Sequence, residues 1–225
     1  MKYLIVNGDD FGATHGINRG ILEAHRDGIL TSASLFVDRP GSTEAAELAR
    51  NTPLLSVGLH ADLDGTPGNG VRKELLRQLQ RFVDLLGDPP THLDSHHNVH
   101  RSPDVLPDFL AVADEHGLLV RSVSKVRYLP DFYGQSGGST DVDNISAASL
   151  VQLLRTRLQD GLNELGCHPG YVDSELVSRY ATEREHELRT LCDPGVRDAI
   201  RQAGISLVSF RDVPRILGDS AISVA

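Results

Sequence analysis

Short β-rich runs alternate with longer amphipathic runs from one end of the chain to the other, and that alternation is the pattern of βαβ units built around a parallel sheet. About seven units can be read. The strand runs are Tyr3–Asn7, Ser32–Val37, Ser56–His60, His92–Ser95, Leu119–Val123, Gly166–Pro169 and Ser206–Phe210. Between them, Leu75, Leu79, Phe82, Val83 and Leu86 recur at helical spacing, as do Leu150, Leu154, Leu158, Leu162 and Leu165. Ser42 opens one helix, and Asp193 followed by Pro194 opens another that Gly204 closes. The expected class is α/β with the strands parallel.

The length, 225 residues, suits one such domain over 1–225, and no Pro- or Gly-rich linker or internal repeat divides it. A net charge of −9 repels phosphate backbones and anionic lipid surfaces, so nucleic acid and membrane are not expected partners. The N-terminal apolar run, Tyr3–Val6, is too short for a signal or a spanning helix, which makes a cytoplasmic location the expectation. Two cysteines, Cys167 and Cys192, are too few for a disulfide framework or a cysteine-based zinc site. Chemistry must come from histidines and carboxylates.

These residues collect at the carboxyl ends of the strand runs, where parallel α/β folds place their active sites. The first run stops at Asn7-Gly8-Asp9-Asp10-Phe11-Gly12. Neighbouring side chains on an extended strand point apart, but at a fraying end two acids can diverge modestly, one toward a metal and one toward a water beside it. A turn with an aspartate helix cap is the plainer reading of the same residues. The third run ends at His60, which alone could be an ordinary hydrogen-bonded histidine. Thr91–His100 carries four of the ten histidines, and period-2 geometry sets His92, Asp94 and His96 on one face, as ligand convergence from a sheet requires. The sixth run leads into Cys167-His168-Pro169-Gly170. Consecutive strand residues face apart, so Cys167 and His168 make a poor catalytic dyad, and no Gly-x-Ser-x-Gly elbow is present. A His-His-Asp set suits a divalent ion with open positions, and a free carboxylate beside it can act as base. The reaction class this points to is metal-assisted hydrolysis. Pro130–Asn144, with Gly134, Gly137 and Gly138, reads as a long mobile loop, either a lid or a disordered surface excursion.

Six segments, in order, resemble the YdjC-like carbohydrate deacetylases, the family that includes chitooligosaccharide deacetylases. They are Asn7–Gly12, Gly58–His60, Thr91–His97, Phe132–Gly134, His168–Asp173 and Ser209–Val213, so the resemblance runs over nearly the whole chain. It implies an irregular, TIM-like (β/α) barrel and removal of acetyl from an N-acetylated amino sugar or short oligosaccharide. It further implies that Asp10, His60 and His96 bind one divalent ion, magnesium or zinc, that Asp9 is the catalytic base and that His168 is the acid. Tyr133, Phe132, Arg121 and Asp173 are the expected substrate contacts, the N-acetylated sugar is the expected partner, and a homodimer is a compatible assembly. The chain departs from the family at Asn98, where many relatives carry histidine, and in the short stretch between His60 and His96, which bears on substrate identity. Two rivals stand beside this reading. An amidohydrolase-type enzyme needs a bridging lysine, and Lys2, Lys73 and Lys125 lie at no motif. A noncatalytic metal-containing sugar binder has no need of Asp9 beside Asp10.

Overall fold

The computed structural model describes residues 1–218. Its elements are β1 (Lys2–Phe11), α1 (His15–Arg26), β2 (Ser32–Leu35), α2 (Ser42–Arg50), β3 (Ser56–Ala61), α3 (Val71–Leu86), β4 (His92–Ser95), α4 (Leu106–His116), β5 (Leu119–Val120), β6 (Arg127–Leu129), the strand pair β7 (Gln135–Ser136) and β8 (Ser139–Thr140), α5 (Ala147–Arg157), β9 (Gly161–Cys167), α6 (Thr182–Leu191), α7 (Pro194–Gln202), β10 (Ile205–Leu207) and α8 (Val213–Leu217). The main sheet runs β5-β4-β3-β2-β1-β9-β6, with β10 added beside β1. Every pairing in it is parallel. β1 changes neighbour along its length: Lys2–Leu4 pair with β10, and Asn7 onward pairs with β2. Among the described residues the end strands β5 and β6 do not pair with each other, so the sheet curls into an incompletely closed (β/α) barrel.

Side-chain alternation sorts each strand into two faces. Leu4, Val6, Ala33, Leu35, Val57, Leu59, Leu93, Leu165 and Cys167 join the large core shared with the helices. The opposite faces fill the barrel, in layers. Ile5, Leu119 and Leu162 form a small apolar floor with Val126, Phe210 and Val213. Above it come buried polar groups, Asn7, Ser34, His92, Asp94 and Glu164, and then the strand-end residues Asp9, His60, His96 and His168. Gly58 makes room in this stack, because a Cβ there would lie 2.3 Å from the His92 ring.

Several boundaries differ from the sequence reading: β1 runs on to Phe11 rather than ending at Asn7, β2 stops at Leu35 rather than Val37, and β3 extends one residue to Ala61. The leucine repeat through Leu165 is not one helix: α5 stops at Arg157, Gly161 turns with φ +95°, and Leu162 and Leu165 belong to β9. The sixth strand is therefore Gly161–Cys167 rather than Gly166–Pro169. The fifth ends at Val120, where Ser122 takes a left-handed φ of 64°. The last spans Ile205–Leu207, and Ser209 caps a 3-10 turn that begins at Phe210. Strand β6 and the hairpin within Pro130–Asn144 are additional to the reading. Ser42 is the first helical residue of α2, and its hydroxyl accepts from the Arg39 N–H at 2.9 Å. Asp193 caps α7 as expected, accepting from the Gly195 and Val196 N–H groups. No helix of the described residues is long and apolar enough to cross a membrane.

Candidate active site

Because the strands are parallel, the carboxyl ends of β1, β3, β4 and β9 open on one side of the barrel, into a cavity of about 630 Å³. Asp9, Asp10, His60, His96 and His168 all line it. The adjacent aspartates reach it together through an irregularity at the end of β1. The register with β2 shifts between Gly8 and Phe11, and Asp10 sits at φ 67°. A bulge of this kind re-aims one side chain, and aspartate tolerates the left-handed region better than most residues. Gly12 follows at φ +91°, where a Cβ would meet the Phe36 carbonyl oxygen at 2.7 Å.

Asp10, His60 and His96 form a group able to hold a metal ion. Asp10 Oδ1 lies 3.4 Å from His60 Nε2 and 3.5 Å from His96 Nδ1, and it is buried without a hydrogen-bond partner. An orphaned carboxylate oxygen facing two imidazoles is the arrangement that an N/O-ligated divalent ion fits. In-register pairing sets His60 beside Asp94, and His60 Nδ1–H donates to Asp94 Oδ1 at 2.7 Å, which leaves Nε2 for the ion. Burial opposes charge on His60, but the Asp94 carboxylate, hydrogen-bonded to it, and the neighbouring Asp10 and Asp9 carboxylates push its pKa up to about 10 when no ion is bound. The site is thus built to hold positive charge at this point. Burial also opposes ionisation of Asp10, yet the Arg184 guanidinium and the two histidines hold its carboxyl well below the usual range.

Asp9 has a different environment. Its two oxygens accept a bidentate pair from Arg121, at 2.7 Å each, and Oδ1 also accepts from Asn7 Nδ2 at 2.9 Å. Burial raises its pKa, but Arg121 more than compensates and keeps Asp9 ionised. His168 Nε2 lies 4.0 Å from Asp9 Oδ2, while its Nδ1 lies 3.9 Å from Glu187 Oε1. Glu187 is fully buried on α6 and accepts from the His168 backbone N–H and the Tyr180 hydroxyl. Burial lowers the His168 pKa, but Glu187, Asp9 and Asp10 together raise it above the ordinary imidazole value.

The expected substrate contacts separate into two sets. Tyr133 lines the cavity, 39% exposed, stacked on Tyr180 at 4.5 Å and edge-on to His168 at 5.8 Å. Phe132 also borders the cavity, but at 1% exposure it is part of the core. Arg121 and Asp173 do not line the cavity. Arg121 is fully buried inside the barrel, where it binds Asp9, Asp94 and Glu164, so it organises the site from below. Asp173 accepts from the Gly16 N–H at 2.6 Å and anchors the start of α1. His92, on the same face as Asp94, stays out of the ligand group: its ring stacks on Phe210 at 3.7 Å, and burial drives its pKa down to about 3. The Pro130–Asn144 segment carries the β7–β8 pair rather than an open loop, with Gln135 and Thr140 both donating to Glu183 Oε1 on α6.

Three contributors escaped the sequence reading: Asp94 as the partner of His60, and Arg184 and Glu187 from α6. Asp94 stood in the quoted histidine-rich segment, and alternation placed it beside His92 and His96. Arg184 and Glu187 lie in a charged helix, Thr182–Leu191, whose sequence gives no sign of which charges face inward.

Comparison with known proteins places these features in context. The family model described as YdjC-like protein matches residues 3–70 and 68–202. A carbohydrate deacetylase of Geobacillus stearothermophilus is 34% identical, over 94% of this chain and 98% of that protein. A chitooligosaccharide deacetylase of Serratia marcescens is also 34% identical, over 94% and 99%. A crystal structure from Enterococcus faecalis V583, described as that of a cellobiose-phosphate cleavage protein, superposes with a TM-score of 0.83 at 28% identity and covers 94% of this chain and 98% of that one.

Proposed function

The chain belongs to the YdjC-like protein family, and from that membership together with the site we propose that it is a metal-dependent hydrolase that removes acetyl from an N-acetylated amino sugar or short oligosaccharide. The observation that carries this reading is the buried, unpartnered Oδ1 of Asp10 facing His60 and His96, with Asp9 and His168 on the same cavity. Asp10, His60 and His96 would hold one divalent ion, magnesium or zinc. Such an ion supplies Lewis acidity toward the acetyl carbonyl and makes a water easier to deprotonate.

The remaining steps belong to the chain's own groups. Asp9, ionised and fixed by Arg121 and Asn7, accepts a proton from the attacking water. His168, whose pKa Glu187 raises against the opposing effect of burial, donates a proton to the departing sugar amine. The two groups have their pKa values pushed apart, the acid downward and the imidazole upward, as a base and an acid working at one pH require. Tyr133 offers an exposed ring to a pyranose face at the cavity mouth. Survival of an organised Asp9 speaks against a simple sugar binder.

The test is acetate release from N-acetylated mono- and oligosaccharides by metal-stripped protein, before and after reloading with Mg²⁺ or Zn²⁺. Release that depends on the ion is expected, and no release from any of these sugars by reloaded protein would sink the reading.

A further inference from the structure

Arg184 reaches the site from α6, far in sequence from the residue it touches. Its Nη2 donates to Asp10 Oδ2 at 2.6 Å, and its Nε donates to the Tyr180 carbonyl at 2.8 Å, which fixes the plane of the guanidinium. Both side chains are almost wholly buried. The two oxygens of Asp10 are therefore unequal: Oδ2 is taken by Arg184, while Oδ1 is free of hydrogen bonds and faces His60 Nε2 and His96 Nδ1.

We propose that Arg184 is a positioning residue that confines Asp10 to one-oxygen ligation and, through its own charge, weakens ion binding in exchange for a more open and more electrophilic centre. This rests on the reading that Asp10, His60 and His96 hold a divalent ion. A carboxylate free at both oxygens can take two positions on an ion. One of those positions is then lost to water or substrate. With Oδ2 occupied, the carboxylate also passes less of its charge to the ion. A desolvated cation this close to a dication acts against its binding with little screening.

A purely structural role explains the geometry less well. α6 is already anchored by Glu187 to the His168 backbone, by Glu183 to the β7–β8 segment, and by Leu188 and Leu191 in the core. Among the described residues, moreover, buried Arg184 Nη1 has no hydrogen-bond partner, which is a cost without benefit if the residue serves only packing.

The experiment measures Co²⁺ binding by equilibrium dialysis and the visible spectrum of the Co²⁺ protein, for wild type, Arg184→Met, Arg184→Gln and Arg184→Lys, with turnover in parallel. For Arg184→Met we expect Co²⁺ to bind at least about tenfold more tightly, the visible bands to weaken as a further oxygen joins the ion, and kcat to fall. Arg184→Lys, which keeps the charge, should bind Co²⁺ within about threefold of wild type. Tighter binding joined to slower turnover is the signature of the proposal. Weaker or unchanged Co²⁺ binding by Arg184→Met, or an unchanged spectrum, overturns it. Should Arg184→Met not fold, Arg184→Gln reads the charge alone: tighter binding supports the proposal, and unchanged or weaker binding overturns it. A wild type that takes up no Co²⁺, or His60→Ala binding it as well as wild type, removes the ion reading itself, a failure distinct from any behaviour of the Arg184 variants.

Discussion

At the residue scale, the two neighbouring aspartates carry the sharpest consequences. Asp10→Asn replaces a charged ligand by a neutral one, so metal content and acetate release should fall together. Asp9→Asn keeps shape but removes the proton acceptor; the ion should stay bound while kcat drops by about 10² to 10⁴-fold. Metal analysis beside steady-state kinetics reads both, and an Asp9→Asn protein that loses its ion would mean the two roles are reversed. Asp94→Asn leaves His60 Nδ1 without its charged acceptor, and metal affinity should fall about 10 to 100-fold, measured by competition with a chelator. The acid has its own test. Under the proposed mechanism His168 works protonated, and Glu187 is the leading cause that raises its pKa, so activity is expected below that pKa and is lost as pH rises through it. Glu187→Gln removes the supporting charge and should move the alkaline limb of kcat to lower pH, whereas an unmoved limb would assign the proton to another group. Asp9, Asp10, His60, His96 and His168 were all legible as strand-end polar residues. What the sequence could not convey was how two adjacent aspartates face one cavity, because that depends on a register shift and a left-handed φ at Asp10.

At the element scale, β1–β4 were readable because each is a short apolar or alternating run ending at a turn. β9 was harder. Its Asn163 and Glu164 are fully buried, and it follows a leucine repeat, so the helical spacing of leucines runs on through residues that pair with β1. β6 has only three residues, lies at a sheet edge and is part-exposed, which leaves little periodic signal. The glycine-rich segment shows the same limit. Composition predicted a mobile loop, yet Gln135, Thr140 and Asn144 tie it down through side-chain hydrogen bonds that composition does not encode. Those ties make the lid idea more specific: opening must break the contacts to Glu183. Glu183→Ala should speed hydrogen exchange across residues 134–141 and raise KM more than it lowers kcat. A substrate analogue should slow exchange there in wild type. Exchange that ignores both the substitution and the ligand would show that the segment does not gate the cavity.

At the scale of the whole molecule, the unusual feature is a barrel interior holding three carboxylates around a single guanidinium. Arg121 follows β5 at one end of the sheet, yet it reaches Asp94 on β4, Asp9 on β1 and Glu164 on β9, so it ties together strands that the sheet order sets far apart. Strands β1, β4 and β9 and the ionisation of Asp9 are therefore linked through one side chain. Arg121→Met fills similar space but leaves the carboxylates without their cation, and removing one partner of a buried ion pair costs about 3 to 5 kcal/mol. The pH dependence fixes the interpretation. In wild type, Arg121 lowers the pKa of Asp9 and Asp94, so their contribution is present above the ordinary carboxylate range and is lost as pH falls through their folded values. Glu164 behaves oppositely: burial raises it to about 7, and it subtracts stability as pH rises from its unfolded value toward that point. Without Arg121, Glu164 loses its cation and Asp9 keeps only Asn7 as a hydrogen-bond donor, while Asp94 keeps His60 and Ser34, so the folded pKa values of Asp9 and Glu164 rise above the unfolded ones and the native state takes up protons. Stability of the variant should then decline as pH rises from about 4 to 7. The deficit relative to wild type should be smallest at acid pH and largest near neutrality. Urea unfolding of both proteins across that range measures it. A deficit that does not change with pH would mean that Arg121 acts by packing alone, and that the ionised state of Asp9 is set by something other than the guanidinium at the centre of the barrel.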